Sequence, residues 1–136
     1  LYYKRGSDTG KLMKKILHRH HISFKNAFSG LFWAVTTQPN FRVHIVLSLL
    51  ALYLCWFLGV SALEWTIIVF TIVLGLSAEL INTALEAMTD LITSEWRKEA
   101  KIAKDVAAGM MLTVAFGALI VAAFILGPKL MIRFGW

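Results

Sequence analysis

Three apolar runs constrain this chain more than anything else in it. They are Phe41–Val60 (FRVHIVLSLLALYLCWFLGV), Leu63–Leu91 (LEWTIIVFTIVLGLSAELINTALEAMTDL) and Val106–Leu126 (VAAGMMLTVAFGALIVAAFIL). A helix rises 1.5 Å per residue, so about 20 predominantly apolar residues cross the hydrocarbon core of a bilayer. Each run supplies that length. Core helices of a soluble protein would carry a polar face along their whole length, and most of these runs do not. With 136 residues, 58% of them hydrophobic, the chain has room for one domain. The expected class is an all-α integral membrane protein with spans at about 41–60, 63–91 and 106–126.

Charge placement orients these spans. Lys4, Arg5, Lys11, Lys14, Lys15, Arg19, Lys25 and Arg42 precede or open the first span. The connection at Ser61–Ala62 has no basic residue, whereas the next loop carries Arg97, Lys98, Lys101 and Lys104. The positive-inside rule places the N-terminus and the second loop in the cytoplasm of a multi-pass plasma-membrane protein, with the C-terminus outside. Trp33, Trp65 and Trp96 fall at span boundaries, where indole rings favour the interface. The net charge of +6 is accounted for by this topology and by attraction to anionic lipid headgroups, and no nucleic-acid motif accompanies it.

The N-terminal third divides into a flexible tail at 1–10 and an amphipathic segment, one helix or two, over Lys11–Thr37. Phe24, Phe28, Leu31, Phe32 and Val35 recur at helical spacing, with Lys25, Asn26 and Ser29 between them. Such a helix lies in the interface with its apolar face toward lipid. Pro39 ends it, because proline pushes the preceding residue out of helical geometry. His18, His20 and His21 lack partners at metal-ligand spacing and read as part of a basic patch. His44 reads as interfacial. Cys55 is alone and reads as a small core residue. The polar N-terminus and the late, long first apolar run do not resemble a cleavable signal peptide.

The second run is not uniformly apolar. Glu79, Asn82, Glu86 and Asp90 are spaced three, four and four residues apart, which puts them on one stripe of a helix. A carboxylate at the bilayer centre costs roughly 2.5 kcal/mol or more, so such residues face a bundle interior or an aqueous cavity. Glu79 lies deeper than Glu86 by about 10 Å. Three spans cannot wall this stripe from lipid on every side, and small residues such as Gly75, Ala78, Gly109 and Gly117 permit close helix packing. Oligomerisation is therefore expected. In the loop Thr93–Asp105 (TSEWRKEAKIAKD), Thr93 and Ser94 are candidate caps for the third helix. Lys101, Lys104 and Asp105 share one side of that helix. Lysines can hold phosphate and carboxylates can hold Mg²⁺, the elements phosphoryl transfer needs. There is no Gly-rich phosphate loop and no soluble-kinase signature.

The block A-E-L-I-N-T-A-L-E-A-M-T-D-L at Ala78–Leu91, followed by S-E-W at Ser94–Trp96 and A-K-D-V-A-A-G at Ala103–Gly109, closely resembles the prokaryotic diacylglycerol kinase family. The similarity covers roughly Arg19 to Ile125. K-D-V-A-A-G, together with N-F-R-V-H at Asn40–His44, is more similar to the undecaprenol kinase branch than to the diacylglycerol kinase branch. The resemblance implies a homotrimer with three transmembrane helices and an interfacial helix per chain. It implies transfer of the ATP γ-phosphate to a lipid hydroxyl at the cytoplasmic face, by one membrane-embedded domain over 11–136.

By family position, Glu79 is the general base and Glu86 a Mg²⁺ ligand, with Asn82 supporting the site. Lys104 and Asp105 contact ATP, with Glu95 and Arg19 contributing. The family's second metal-binding glutamate falls at Gln38, a neutral amide that binds a hard cation less strongly. Undecaprenol is the first choice of acceptor and diacylglycerol the second. The competing classes are an ion- or proton-conducting module and an inactive scaffold. A conducting pathway would need polar groups through the whole depth of the membrane, and the outer half of the second run offers only Thr66 and Thr71.

Overall fold

Pro39 divides the helical chain in two. In the computed structural model the backbone is described for residues 5–135, with the side chains of 5–11, 17, 19 and 20 outside the description. Four helices follow in order: α1 (Arg5–Thr37), α2 (Pro39–Phe57), α3 (Ala62–Ile92) and α4 (Lys98–Phe134). Gln38 is extended, with φ −97° and ψ 109°, as the residue before a proline should be. The break also separates two compact units, one ending at Thr37 and the other starting at Gln38.

The first unit is a single helix, which begins at Arg5 and so includes residues 5–10. No proline interrupts this stretch. Residues 1–4 lie outside the described residues. Phe24, Phe28, Leu31, Phe32 and Val35 are all exposed, as is Lys25. At its end, the hydroxyls of Thr36 and Thr37 donate to the carbonyls of Phe32 and Trp33, both at 2.8 Å.

The second unit is organised by the α2–α3 corner. α2 stops at Phe57, three residues short of the expected span, because Gly59 takes the left-handed conformation at φ +61°. The Gly59 N–H donates to the Trp56 carbonyl (3.3 Å) and the Val60 N–H to the Cys55 carbonyl (3.2 Å). This is a Schellman closure, and its usual apolar contact is present, since Val60 and Cys55 share one buried cluster. Ser61 then caps α3. The Glu64 N–H donates to Ser61 Oγ (3.3 Å), and the Ser61 N–H donates to Glu64 Oε2 (2.7 Å). A helix stop and a capping box back to back leave the corner little freedom.

α3 is the central helix, packing along α4 and against α2, while α2 and α4 touch much less. Two ion pairs stand at opposite ends of the antiparallel α3–α4 pair. Lys129 meets Glu64 at 3.2 Å near the corner, and Lys104 meets Asp90 near the α3–α4 loop. The buried core of Cys55, Val60, Ile68 and Leu126 lies at the corner end.

α4 is longer than the expected 106–126 at both ends. At its start, Glu99 suits the dipole and Lys101 pairs with Asp105 one turn on, so the charged segment is helical. Near its end, Pro128 removes one backbone donor without breaking the helix, which runs on to a left-handed Gly135. The N-cap of α4 is Arg97, without a side-chain bond, so neither Thr93 nor Ser94 caps it. Thr93 instead ends α3 and ties down the turn: its hydroxyl accepts from the Glu95 N–H at 3.2 Å.

Burial is inverted relative to a water-soluble bundle. Phe70, Leu91, Leu119 and Phe124 are exposed, while Glu79, Asn82 and Thr83 are buried. An outside of Leu, Ile and Phe around a polar inside is stable only where the solvent is hydrocarbon. α2, α3 and α4 are all long and apolar enough to cross a membrane, so the fold is an all-helical membrane protein with three spans.

Gly59 and Ser61 make the corner testable. A Cβ at Gly59 would meet nothing within 4 Å, so the cost of Gly59→Ala is that of the left-handed backbone, about 1–2 kcal/mol. Ser61→Ala should cost about 1 kcal/mol through loss of the cap. Both should appear as a lower midpoint of denaturation in mixed detergent micelles. Gly30→Ala, on an open helical surface, should not lower it.

Candidate active site

The acidic stripe is graded in burial along α3. Glu79 is 3% exposed and Asn82 5%, whereas Glu86 is partly buried and Asp90 exposed. The helix carries the stripe from the packed interior to the α3–α4 loop, over about 16 Å from Glu79 to Asp90. Asn82 Nδ2 donates to Glu86 Oε1 at 3.0 Å, one turn on. This bond orients both side chains. It leaves Asn82 Oδ1 buried without a hydrogen-bond partner. A buried, unsatisfied amide oxygen costs roughly 1–3 kcal/mol, and a cation or a donor placed beside it would satisfy it.

The oxygens present suit a hard cation. Glu86 offers a carboxylate and Asn82 an amide carbonyl. Mg²⁺ is commonly held by one or two carboxylates together with substrate phosphates, rather than by an all-protein cage. Among the described residues there is no cluster of three or more His, Cys, Asp or Glu side chains at metal-binding distance.

The loop residues gather separately. A cleft of about 660 Å³ is lined by Asp90, Glu95, Arg97, Lys101, Lys104 and Asp105, among others. Lys104 is held by Asp90 of α3, Asp105 by Lys101, and Glu95 by Arg97 at 3.5 Å. These pairs are largely exposed, so each contributes little to stability and can exchange for a phosphate oxygen at small cost. The cleft brings together three of the sequence candidates, Glu95, Lys104 and Asp105. Glu79, Asn82 and Glu86 do not line it, so the buried stripe and the charged cleft adjoin through α3 without forming one cavity. The Arg19 side chain lies outside the described residues.

Gln38 stands at the N-cap of α2, partly buried, its carbonyl accepting from the Arg42 N–H at 3.3 Å. The corner sets the register between α2 and α3. His44 lies in the second turn of α2. It reads as interfacial in isolation, yet it is partly buried and lies within electrostatic reach of Glu79, as Glu86 does.

Comparison with known proteins agrees with this arrangement. Residues 25–126 match the family described as prokaryotic diacylglycerol kinase. The chain is 39% identical over 115 residues to an undecaprenol kinase of Bacillus subtilis, covering 84% of this chain and 93% of that protein. It is 37% identical over 111 residues to a diacylglycerol kinase of Synechocystis, covering 81% of this chain and 63% of that longer protein. It is 30% identical over 94 residues to a diacylglycerol kinase of Escherichia coli, covering 69% of this chain and 77% of that protein. A three-span bundle with an interior carboxylate–amide stripe, matched over its core by these relatives, belongs to the prokaryotic diacylglycerol kinase family, a family of lipid kinases.

Proposed function

We propose that this protein transfers the γ-phosphate of ATP to the hydroxyl of undecaprenol at the cytoplasmic face of the plasma membrane, as a homotrimer. The observation that carries the reading is the graded stripe of Glu79, Asn82 and Glu86, which ends beside the charged cleft of the α3–α4 loop. A lipid hydroxyl approaches from hydrocarbon and meets the deeper residue, while a nucleotide approaches from water and meets the shallower ones. Undecaprenol is preferred because the Bacillus subtilis relative bearing that name is matched over nearly its whole length. Diacylglycerol is the alternative, supported by the relatives named for it.

In this reading Glu79 accepts the hydroxyl proton as the lipid oxygen bonds to the γ-phosphorus and the bond to the bridging oxygen of ADP breaks. Asn82 holds Glu86 in place through its amide N–H. Glu86 and the Asn82 carbonyl, with Gln38, are the groups that would hold Mg²⁺, which when bound neutralises charge on the phosphates. Lys104 and Asp105, with Glu95 and Arg19, bind the nucleotide. Lys104 exchanges Asp90 for phosphate as it does so. The basic residues of α1 meet anionic headgroups while its apolar face meets lipid. The trimer walls the shallower end of the stripe, where Glu86 is partly buried and Asp90 exposed in the single chain.

A conducting module accounts for less. Thr66 and Thr71 in the corner half of α3 donate back to the carbonyls of Ala62 (2.9 Å) and Ile67 (2.8 Å), so their hydroxyls are spent within the helix. The polar stripe ends at Glu79 rather than continuing through the membrane.

The purified protein in mixed micelles, supplied with radiolabelled ATP, should show a higher kcat/KM for undecaprenol than for diacylglycerol. A preference for diacylglycerol would select the alternative acceptor, and no phosphorylated lipid would reject the kinase reading. In the same assay Glu79→Gln should lower kcat by 10²-fold or more with nucleotide binding retained, because an amide keeps the shape but cannot take the proton. Glu86→Gln should weaken Mg²⁺-dependent nucleotide binding as well. Gln38→Glu should lower the Mg²⁺ concentration for half-maximal activity, since an anionic ligand attracts the cation more strongly. An unchanged midpoint in the Mg²⁺ titration would show that position 38 does not reach the metal.

A further inference from the structure

The C-terminal ends of α2 and α4 meet beside the corner, at the opposite end of the bundle from the charged cleft. A second cleft opens there, of about 260 Å³, lined by Phe57, Leu58, Lys129, Ile132 and Arg133. Lys129 and Arg133 are four residues apart and stand on one side of α4. Lys129 is partly buried and meets Glu64 at 3.2 Å, and the same carboxylate also accepts from the Ser61 N–H. Arg133 has no carboxylate partner among the described residues. Its guanidinium reaches across to α2 and lies over Phe57, 5.4 Å from the ring centre, and that ring stacks on Tyr53. Two cations against one carboxylate leave the cleft with a net positive charge. A basic residue in the last turn suits the negative end of α4, and a long basic side chain reaches toward water from a helix end. Neither effect draws a guanidinium onto a ring of another helix or builds a cleft around it.

The depth of the cleft identifies the kind of anion it suits. Leu126 closes the apolar run of α4. Lys129 follows it by about 4.5 Å along the helix axis and Arg133 by about 10 Å. Each headgroup layer of a bilayer is roughly 5–8 Å thick. Helical side chains lean back toward the N-terminus, so both cations reach that layer. Beside them Phe57 and Ile132 present exposed apolar surface, which suits the glycerol and upper acyl chain of a lipid better than a soluble ion. We propose that this cleft binds the phosphodiester headgroup of an anionic phospholipid, in the leaflet at the corner end of the bundle. Arg133 offers its fork of N–H donors to the phosphate oxygens, and Lys129 adds a point charge. The surplus positive charge selects a lipid of net negative charge over a zwitterionic one. Because α2 and α4 touch little elsewhere, a headgroup held between their ends fastens them together. The inference does not rest on the lipid-kinase reading, since it uses none of the residues of the stripe or of the charged cleft.

The test places the full chain in nanodiscs of phosphatidylcholine alone, or of an equal mixture with phosphatidylglycerol of the same acyl chains. Two quantities are measured: the lipid retained on extraction into detergent, by native mass spectrometry, and the denaturation midpoint in each nanodisc. Wild type should retain phosphatidylglycerol preferentially and have the higher midpoint in the mixture. Arg133→Gln should lower that preference about fivefold, the effect of one basic residue at a lipid surface, and reduce the rise in midpoint. Arg133→Lys, which keeps the charge, should lose less. Lys98→Gln removes an equal charge from the start of α4, at the other end of the bundle, and should keep both effects. An unchanged preference in Arg133→Gln would overturn the inference. So would an equal loss in Lys98→Gln, since the attraction would then be diffuse. An Arg133→Gln midpoint lowered by the same amount in both nanodiscs would also overturn it, since that pattern belongs to packing on Phe57. Inorganic phosphate added to the phosphatidylcholine nanodiscs should leave the wild-type midpoint unmoved. A rise as large as that from phosphatidylglycerol, absent in Arg133→Gln, would assign the cleft to a soluble anion and overturn the lipid.

Discussion

The corner between α2 and α3 is the constraint on which the rest of the second unit depends. Gly59 in its left-handed conformation stops one helix, and Ser61 with Glu64 starts the next two residues later. Because the stop and the start are both hydrogen-bonded, the connection cannot slide by a residue without losing backbone bonds in a medium that offers no replacement. A one-residue slip of α2 would turn the face it presents to α3 by about 100°. The packing of Cys55, Val60, Ile68 and Leu126 beside that corner fastens the register where it is set.

From this fixed end the bundle loosens toward the loop. The aliphatic core lies near the corner, and the polar stripe occupies the interior farther along α3. In lipid there is little hydrophobic gain from pressing apolar helices together, so cohesion comes from packing, caps and a few polar contacts. The Glu64–Lys129 pair is partly buried, and Glu64 is also the partner of Ser61, so one carboxylate joins the corner to α4. The Asp90–Lys104 pair at the other end is more exposed and so cheaper to open. The chain is firm at the corner and exchangeable at the α3–α4 loop.

The buried stripe illustrates stability surrendered locally. Asn82 Oδ1 has no partner, and Glu79 is a carboxylate removed from water. A Leu or Ala at either position would pack at lower cost. Such positions cost stability without contributing to packing, the pattern that makes them candidates for a functional site.

Length and apolarity determined the three spans, since hydrocarbon thickness dictates how many apolar residues a helix needs. The three-, four-, four-residue spacing placed Glu79, Asn82, Glu86 and Asp90 on one stripe, and the motif around them named the family. These are local or periodic properties, visible one segment at a time. Tertiary structure alone decided that α2 ends at Phe57, that α4 continues through Pro128, and that Thr93 ends a helix instead of starting one. It also decided that Lys104 pairs with Asp90 and that the Asn82 amide is spent on Glu86. Each of these depends on which residues of different helices stand level, and that is set by closure of a corner and the packing beside it, which no single segment of sequence contains.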